Sequence, residues 1–152
     1  MEVCRLYTVG EMAKRIGVVP STLRYYDKEG LLPFVERSSS GIRMFKDADF
    51  EWFQIIGCLK KTGMQLVDIK RFIEMAMQGD KTIDERLALI IKQKQSVKQQ
   101  INELNRMLKT LEFKEWYYET AKQAGTNEIP RNMKLDELPE EFRDTRKRLR
   151  GE

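Results

Sequence analysis

The feature that most constrains this chain is a long run without glycine or proline, from Ile83 to the residue before Gly125. At about 1.5 Å per residue, such a run predicts a single helix about 60 Å long. Alternating steps of four and three residues trace an almost continuous apolar stripe along it. That spacing, kept over about five heptads, is typical of a coiled coil. The stripe consists of Ile83, Leu87, Ile90, Val97, Ile101, Leu104, Leu108, Leu111 and Tyr118.

This stripe predicts a dimerisation seam. The alternative is an amphipathic helix that packs on its own domain, but a helix of this length extends beyond a domain of about 80 residues. Part of the stripe would then face water unless a second chain covered it. Lys94 and Glu115 interrupt the seam and are candidates for setting its register. The heptad pattern does not distinguish a parallel from an antiparallel pair.

Two short helices precede this region. Thr8 and Glu11 form the pattern of a capping box, and Gly17 marks the end of the first helix. Pro20 suits the first position of a second helix, over about residues 20–29, which Gly30 ends. Two helices joined by a tight turn that contains glycine predict a helix-turn-helix.

A small hairpin and two more helices are expected next. Residues 35–37 and 42–45 resemble short strands around a serine- and glycine-rich turn. Helices are predicted over about 47–61, with Asp47 as a candidate N-cap, and about 66–78. Thr82 and Glu85 repeat the capping-box pattern. The predicted organisation is therefore a mainly α chain: a head over 6–78, a coiled-coil helix over 80–124, and a charged, largely flexible tail over 125–152 with a short helix near 140–150.

The composition argues against catalysis and metal sensing. The chain has no histidine, so the commonest general base and metal ligand are missing. Its two cysteines, Cys4 and Cys58, have no metal-binding spacing and suit a reducing cytoplasm. No segment resembles a membrane span or a secretory leader. We therefore expect a cytoplasmic protein that is not an enzyme, with no metal and no cofactor. The net charge of +4 permits nucleic-acid binding without proving it.

The second helix carries the best candidate DNA-binding face. At 100° per residue, Ser21, Tyr25 and Lys28 lie opposite Leu23 and Tyr26, with Arg24 at the edge. Hydroxyl and cationic groups of this kind can donate to phosphates and to base edges in a major groove. The alternative is an ordinary solvated face. Further cationic candidates surround this helix: Arg37 and Arg43 in the hairpin, Lys60 and Lys61 at the end of the third helix, and Lys14 and Arg15 on the first.

Three segments together resemble the MerR family of transcription regulators. They are YTVGEMA at 7–13, TLRYYDKEGLLP at 22–33 and GIRMF at 41–45. The order of parts is also similar, so the resemblance covers about residues 6–120. Val19 departs from the pattern, because a serine cap often precedes the proline in the family. Its absence weakens the helix start by up to about 1 kcal/mol.

The resemblance implies a specific mode of action. Members are homodimers joined by an antiparallel coiled coil, and they bind a pseudo-palindromic operator in a promoter whose recognition elements are spaced too widely. An inducing signal makes the dimer bend and untwist the DNA so that RNA polymerase engages both elements. Carried over by position, the recognition helix contributes Ser21, Thr22, Arg24, Tyr25 and Tyr26, the wing contributes Arg37, Ser39 and Arg43, and the helix pair bracing the wing contributes Lys60 and Lys61.

The inducing signal is less constrained. Thiophilic-metal sensors of the family carry cysteines at and after the dimer helix, and residues 79–152 contain none. Cys58 resembles the cysteine of a branch that responds to aldehydes and other electrophiles, which makes it a candidate effector thiol. The alternative is a buried core thiol. The aromatic residues at 116–118 could line a small-molecule pocket or pack in the dimer interface.

The sequence leaves two rival functions open. One is a constitutive repressor with the same fold. The other is a coiled-coil module whose head binds protein rather than DNA.

Overall fold

A computed structural model describes residues 5–152 and divides the chain into two compact units, Met1–Gln95 and Ser96–Glu152. The first unit contains three strands and four helices, followed by a 3₁₀ turn and the start of a long helix: β1 (Leu6–Tyr7), α1 (Val9–Ile16), α2 (Pro20–Lys28), β2 (Glu36–Arg37), β3 (Arg43–Lys46), α3 (Asp49–Lys61), α4 (Leu66–Met77), the turn Gly79–Thr82 and α5 (Ile83–Ala124). The second unit holds the rest of α5, then α6 (Glu128–Asn132), a 3₁₀ turn (Leu135–Glu137) and α7 (Glu140–Arg150).

The helix-turn-helix forms where the sequence predicts it. The backbone amide of Glu11 donates to Thr8 Oγ1 over 3.3 Å, and the Thr8 amide donates to Glu11 Oε2 over 2.8 Å, so the first capping box is confirmed. Gly17 closes α1 in the left-handed conformation, with φ of 76°. The second helix begins at Pro20, and Val19 provides no side-chain cap.

The wing is part of a three-stranded antiparallel sheet. The strand order is β1-β3-β2, with Tyr7 opposite Phe45 and Arg37 opposite Arg43. The sequence predicts the hairpin but not β1, because a two-residue strand is too short to show an alternating pattern. At the tip, Gly41 has φ of 79° and the Ser38 amide donates to the Ile42 carbonyl over 2.8 Å.

One hydrophobic core holds α1–α4 and the sheet together. Met12 and Leu23, one from each helix of the helix-turn-helix, are fully buried. Phe45 brings the wing into the same core, and its ring lies 5.7 Å from that of Phe53 on α3. Helix α2 and the hairpin are therefore anchored to a common set of packed side chains.

Two predicted caps are wrong. Helix α3 begins at Asp49 after an uncapped Ala48, and Asp47 instead accepts hydrogen bonds from Arg15 and from the Tyr7 hydroxyl. The Thr82 hydroxyl donates backwards, to the carbonyl oxygens of Met75 (2.5 Å) and Gly79 (3.0 Å). For Asp47, the competing partners are distant in sequence. For Thr82, they are carbonyl oxygens of the preceding helix and 3₁₀ turn, and in each case the side chain is no longer available as a cap.

Residues 125–152 differ from the expected largely flexible tail. They form α6 and α7, and Leu138 is 2% exposed. The Phe142 ring lies 5.5 Å from that of Trp116 and 5.9 Å from that of Phe113, both on α5. A few widely spaced apolar residues are enough to pack this segment, because α5 already presents aromatic side chains for them to contact. That spacing is why the segment reads as charged and loose in sequence.

No helix over residues 5–152 combines the length and the apolar character needed to cross a membrane.

Candidate nucleic-acid interface

Helix α2, the second helix of the helix-turn-helix, presents an exposed polar face. Ser21, Arg24 and Lys28 are exposed, and Tyr25 retains 46% of its accessible surface. On the opposite side Leu23 is fully buried. This face offers a hydroxyl, two cations and an aromatic ring within about two helical turns, so it can meet phosphates and base edges together.

Tyr26 is buried, unlike the adjacent Tyr25. It is only 7% exposed, and the Lys60 Nζ lies 5.3 Å from the centroid of its ring. The structure thus places Tyr26 in the core, although the resemblance assigns it to the DNA-binding set. Thr22 is half-buried beside it. Lys60 covers Tyr26 from α3, and both Lys60 and Lys61 are exposed.

The two wing arginines converge on Asp27. The Arg43 Nε donates to Asp27 Oδ2 over 2.7 Å, and its Nη2 also contacts that oxygen. The Arg37 Nη2 donates to the same oxygen over 2.9 Å, while its Nη1 donates to the Gly41 carbonyl over 3.3 Å. The Arg37 side chain remains 51% exposed, against 26% for Arg43. Ser39, at the tip between them, is exposed.

Arg15 is held in a cluster on α1. It pairs with Asp47, and its guanidinium carbon lies 5.0 Å from the Tyr7 ring centroid and 4.8 Å from that of Phe50. The hydrogen bond from Arg15, and then that from Tyr7, lower the pKa of Asp47. The hydrogen bond to Asp47 in turn raises the pKa of Tyr7. Lys14, next to Arg15, is exposed.

The predicted seam of α5 is exposed along the single chain. Leu104, Leu111 and Tyr118 keep 62%, 66% and 60% of their accessible surface. Val97 is half-buried. The remaining seam residues are also exposed: Ile83, Leu87, Ile90, Ile101 and Leu108.

Cys58 lies at the surface of α3 as a free, exposed thiol. This differs from the alternative of a buried core thiol. Cys4 falls outside the described residues. Trp116 and Tyr117 are half-buried against Phe113, which fits a packing role. Over residues 5–152, no group of three or more cysteines and carboxylates is arranged to hold a metal ion.

Sequence reasoning missed the role of Asp27. The available signal was the pair of arginines at matching positions of the hairpin, since like charges directly across a strand pair are unfavourable without a counter-ion. Asp27, the residue after Tyr26 on α2, could supply that counter-ion. Which carboxylate reaches the wing depends on the tertiary fold.

Two family models match this chain. The MerR helix-turn-helix regulatory protein model covers residues 7–76, and the MerR DNA-binding model covers residues 50–112. The matched segments span the helix-turn-helix, the wing, α3, α4 and the first part of α5.

Individual proteins are similar over most of the chain. An uncharacterised helix-turn-helix-type transcriptional regulator of Haemophilus influenzae is 48% identical over 88% of this chain and 97% of its own length. The regulator AdhR of Bacillus subtilis is 31% identical over 57% of this chain and 62% of its own length. The solved structure of HiNmlR, a MerR family regulator lacking the sensor domain and bound to promoter DNA, is 49% identical, with a TM-score of 0.71 over 82% of this chain and 99% of that one.

Proposed function

Because this chain belongs to the MerR family of helix-turn-helix transcription regulators, we propose that it binds a pseudo-palindromic promoter operator as a homodimer and controls transcription by deforming that DNA. The carrying observation is the exposed hydroxyl-rich, cationic face of α2 beside a wing that carries arginines. The similarity to a regulator bound to promoter DNA points to the same ligand.

The proposed DNA contacts divide into two kinds. Arg24, Tyr25 and Ser21 lie on the face of α2 that would enter the major groove, where such side chains read base edges. Lys14, Lys28, Ser39, Lys60 and Lys61 are exposed around that face and would contact phosphates, which fix position without reading sequence. Arg15, Arg37 and Arg43 already have partners within the head, so we assign them first to holding its shape.

Dimerisation through α5 follows from the exposed stripe. Leu104 and Leu111, each more than 60% exposed, would be an unusual pair to leave in water on one helix face. A second α5 would cover the stripe by knobs-into-holes packing. Two copies then present two recognition helices, which matches the symmetry of a pseudo-palindromic operator.

The charges in the seam favour an antiparallel pair. In a parallel dimer each seam position faces its own copy, so Lys94 and Glu115 would each oppose a like charge. In an antiparallel dimer a seam position faces a different position of the other chain unless it lies at the centre of the pair, so neither charge has to oppose its own copy. The antiparallel arrangement therefore avoids two repulsive layers.

The proposed signal is a reactive electrophile that modifies Cys58. The thiol is exposed on α3, one turn before the end of the helix that carries Lys60 and Lys61. A covalent adduct there would alter the helix that covers Tyr26 of the recognition helix. RNA polymerase would respond to the resulting change in the shape of the promoter DNA.

The binding test uses the promoter duplex upstream of the gene for this protein and an unrelated duplex of equal length. We expect at least a thousandfold preference, on the order seen for specific regulators, and a steep loss of affinity as KCl rises. Fluorescence anisotropy gives both numbers. Equal affinity for the two duplexes would overturn the proposal.

The signal is tested separately. A promoter reporter is exposed to an aldehyde in cells that carry the wild type or Cys58→Ala, with Cys4→Ala as the matched control. Induction should be lost only in Cys58→Ala. Equal induction in all three would remove Cys58 from the mechanism while leaving the DNA-binding proposal intact.

A further inference from the structure

We propose that Asp27 is a positioning residue for operator recognition: it holds the wing at a fixed angle to the recognition helix through Arg43, and it yields Arg37 to a DNA phosphate on binding. This inference rests on the proposed function. It assigns different roles to two arginines of the hairpin that the sequence alone does not distinguish.

The two wing arginines lie opposite each other in the hairpin. Arg37 on β2 and Arg43 on β3 are direct cross-strand partners. Two cations at such positions repel each other unless an anion lies between them. Asp27 supplies that anion from α2, and its side chain is only 17% exposed. The carboxylate therefore neutralises part of the wing charge and links the wing to the recognition helix.

The two arginines are bound unequally. Arg43 contacts Asp27 Oδ2 through both Nε and Nη2, and its side chain is 26% exposed. Arg37 contacts the same oxygen through Nη2 alone, its Nη1 makes only a longer bond of 3.3 Å to the Gly41 carbonyl, and its side chain is 51% exposed. A two-point, largely covered contact is harder to exchange than a one-point contact open to water. Arg37 is accordingly the arginine that a phosphate can capture.

The exchange has a consequence for specificity. On any DNA, capture of Arg37 costs its bond to Asp27, so Asp27 lowers affinity for phosphates in general. On the operator, the wing held by Arg43 is already in position to contact DNA at the same time as α2. Binding therefore does not pay an entropy cost for immobilising the wing. Asp27 thus weakens non-specific binding and supports specific binding.

The test compares Asp27→Asn with Glu29→Gln. Glu29 is exposed at the same end of α2, so its variant removes one negative charge without touching the wing. Affinities for the promoter duplex and the unrelated duplex are measured at several KCl concentrations. For Asp27→Asn we expect the ratio of the two affinities to fall about tenfold, because affinity for the unrelated duplex rises when Arg37 no longer has to leave Asp27. Glu29→Gln should change both much less.

Single arginine variants separate the two roles. Arg37→Gln should weaken binding to both duplexes about equally and reduce the salt slope by about one, as for a phosphate contact. Arg43→Gln should lower mainly the affinity ratio, and adding it to Asp27→Asn should lower the ratio no further. Asp27→Glu, which keeps the charge, should retain part of the ratio and serves if Asp27→Asn fails to fold.

The outcomes are distinguishable. If the wild type shows no preference for the promoter duplex, the proposed function fails. If the wild type is selective but Asp27→Asn and Glu29→Gln behave alike, or if Arg37→Gln and Arg43→Gln have the same profile, the positioning role of Asp27 is overturned alone.

Discussion

Two adjacent tyrosines on α2 lie in opposite environments. Tyr25 is 46% exposed on the candidate DNA-binding face, whereas Tyr26 is 7% exposed beneath Lys60. One turn of helix thus contains a side chain that can meet DNA and another that holds the helix to the core. Helical spacing already predicts that the two rings lie on opposite faces of α2, and the burial in the fold agrees with that prediction.

Alanine at each tyrosine should separate the two roles. Tyr26→Ala is expected to reduce the free energy of unfolding by about 3 kcal/mol, since a large buried ring is lost. Tyr25→Ala should leave stability within about 0.5 kcal/mol and weaken promoter binding, because its ring contributes little to the core. Urea unfolding and anisotropy measure the two effects. A stable Tyr26→Ala protein would contradict the burial described for that ring.

Acid should weaken the first helix through Glu11. Hydrogen bonds from the Thr8 backbone amide and then its hydroxyl lower the pKa of Glu11. The unfolded chain therefore takes up a proton before the folded chain as the pH falls. The stabilisation is complete above the ordinary pKa of a glutamate and is lost as the pH falls through the lowered value.

This prediction is checked by urea unfolding over a pH series. Glu11→Gln should flatten the acid dependence of stability, whereas Glu51→Gln, an exposed change in the first turn of α3, should leave it as in the wild type. The idea fails if both variants follow the wild-type curve.

At the scale of elements, the sequence predicts best where the determinants are local. Thr8 with Glu11, Pro20 and Gly41 act within a few residues of themselves, and the structure confirms the features predicted from them. Asp47 fails as a cap because Tyr7 and Arg15, distant in sequence, bind its carboxylate.

The candidate DNA-binding site shows the same limit. The helical spacing of α2 is enough to predict which side chains are exposed, since burial alternates with a fixed period. The bond between Asp27 and the wing depends on how the hairpin folds back onto α2, which no local pattern encodes. The roles of these residues on DNA stay predictions.

Packing of α7 against α5 should depend on one ring. Phe142→Ala removes a half-buried side chain that meets Phe113 and Trp116, so α7 should lose about 1.5 kcal/mol of local protection. Leu149→Ala is the control, because Leu149 is 48% exposed on the same helix. Hydrogen exchange of the α7 amides reports the difference. Unchanged protection in Phe142→Ala would mean that the aromatic contact does not hold the helix.

For the whole molecule, the decisive question is how two chains associate. Leu104→Asp places a carboxylate in the middle of the proposed seam and should yield monomers in sedimentation experiments. Gln99→Asp adds the same charge at an exposed position outside the seam, so it should remain dimeric. A dimer that persists in Leu104→Asp would refute this interface.

Chain orientation has its own test. Lys94→Cys is made in a chain whose Cys4 and Cys58 are serine, and oxidation is followed by non-reducing electrophoresis. In a parallel pair the two new thiols would face each other and form a disulfide rapidly. We expect no rapid cross-link, because an antiparallel pair separates them along the rod.

If the exposed stripe on α5 is the dimer interface, promoter control should depend steeply on how much of the protein the cell makes. If only paired chains read the operator, then well below the dissociation constant of the pair, operator occupancy rises with the square of the number of chains in the cell. A twofold change in synthesis would then alter promoter control about fourfold. A row of leucines and isoleucines outside the proposed DNA-binding face would in this way set the threshold at which the gene circuit responds.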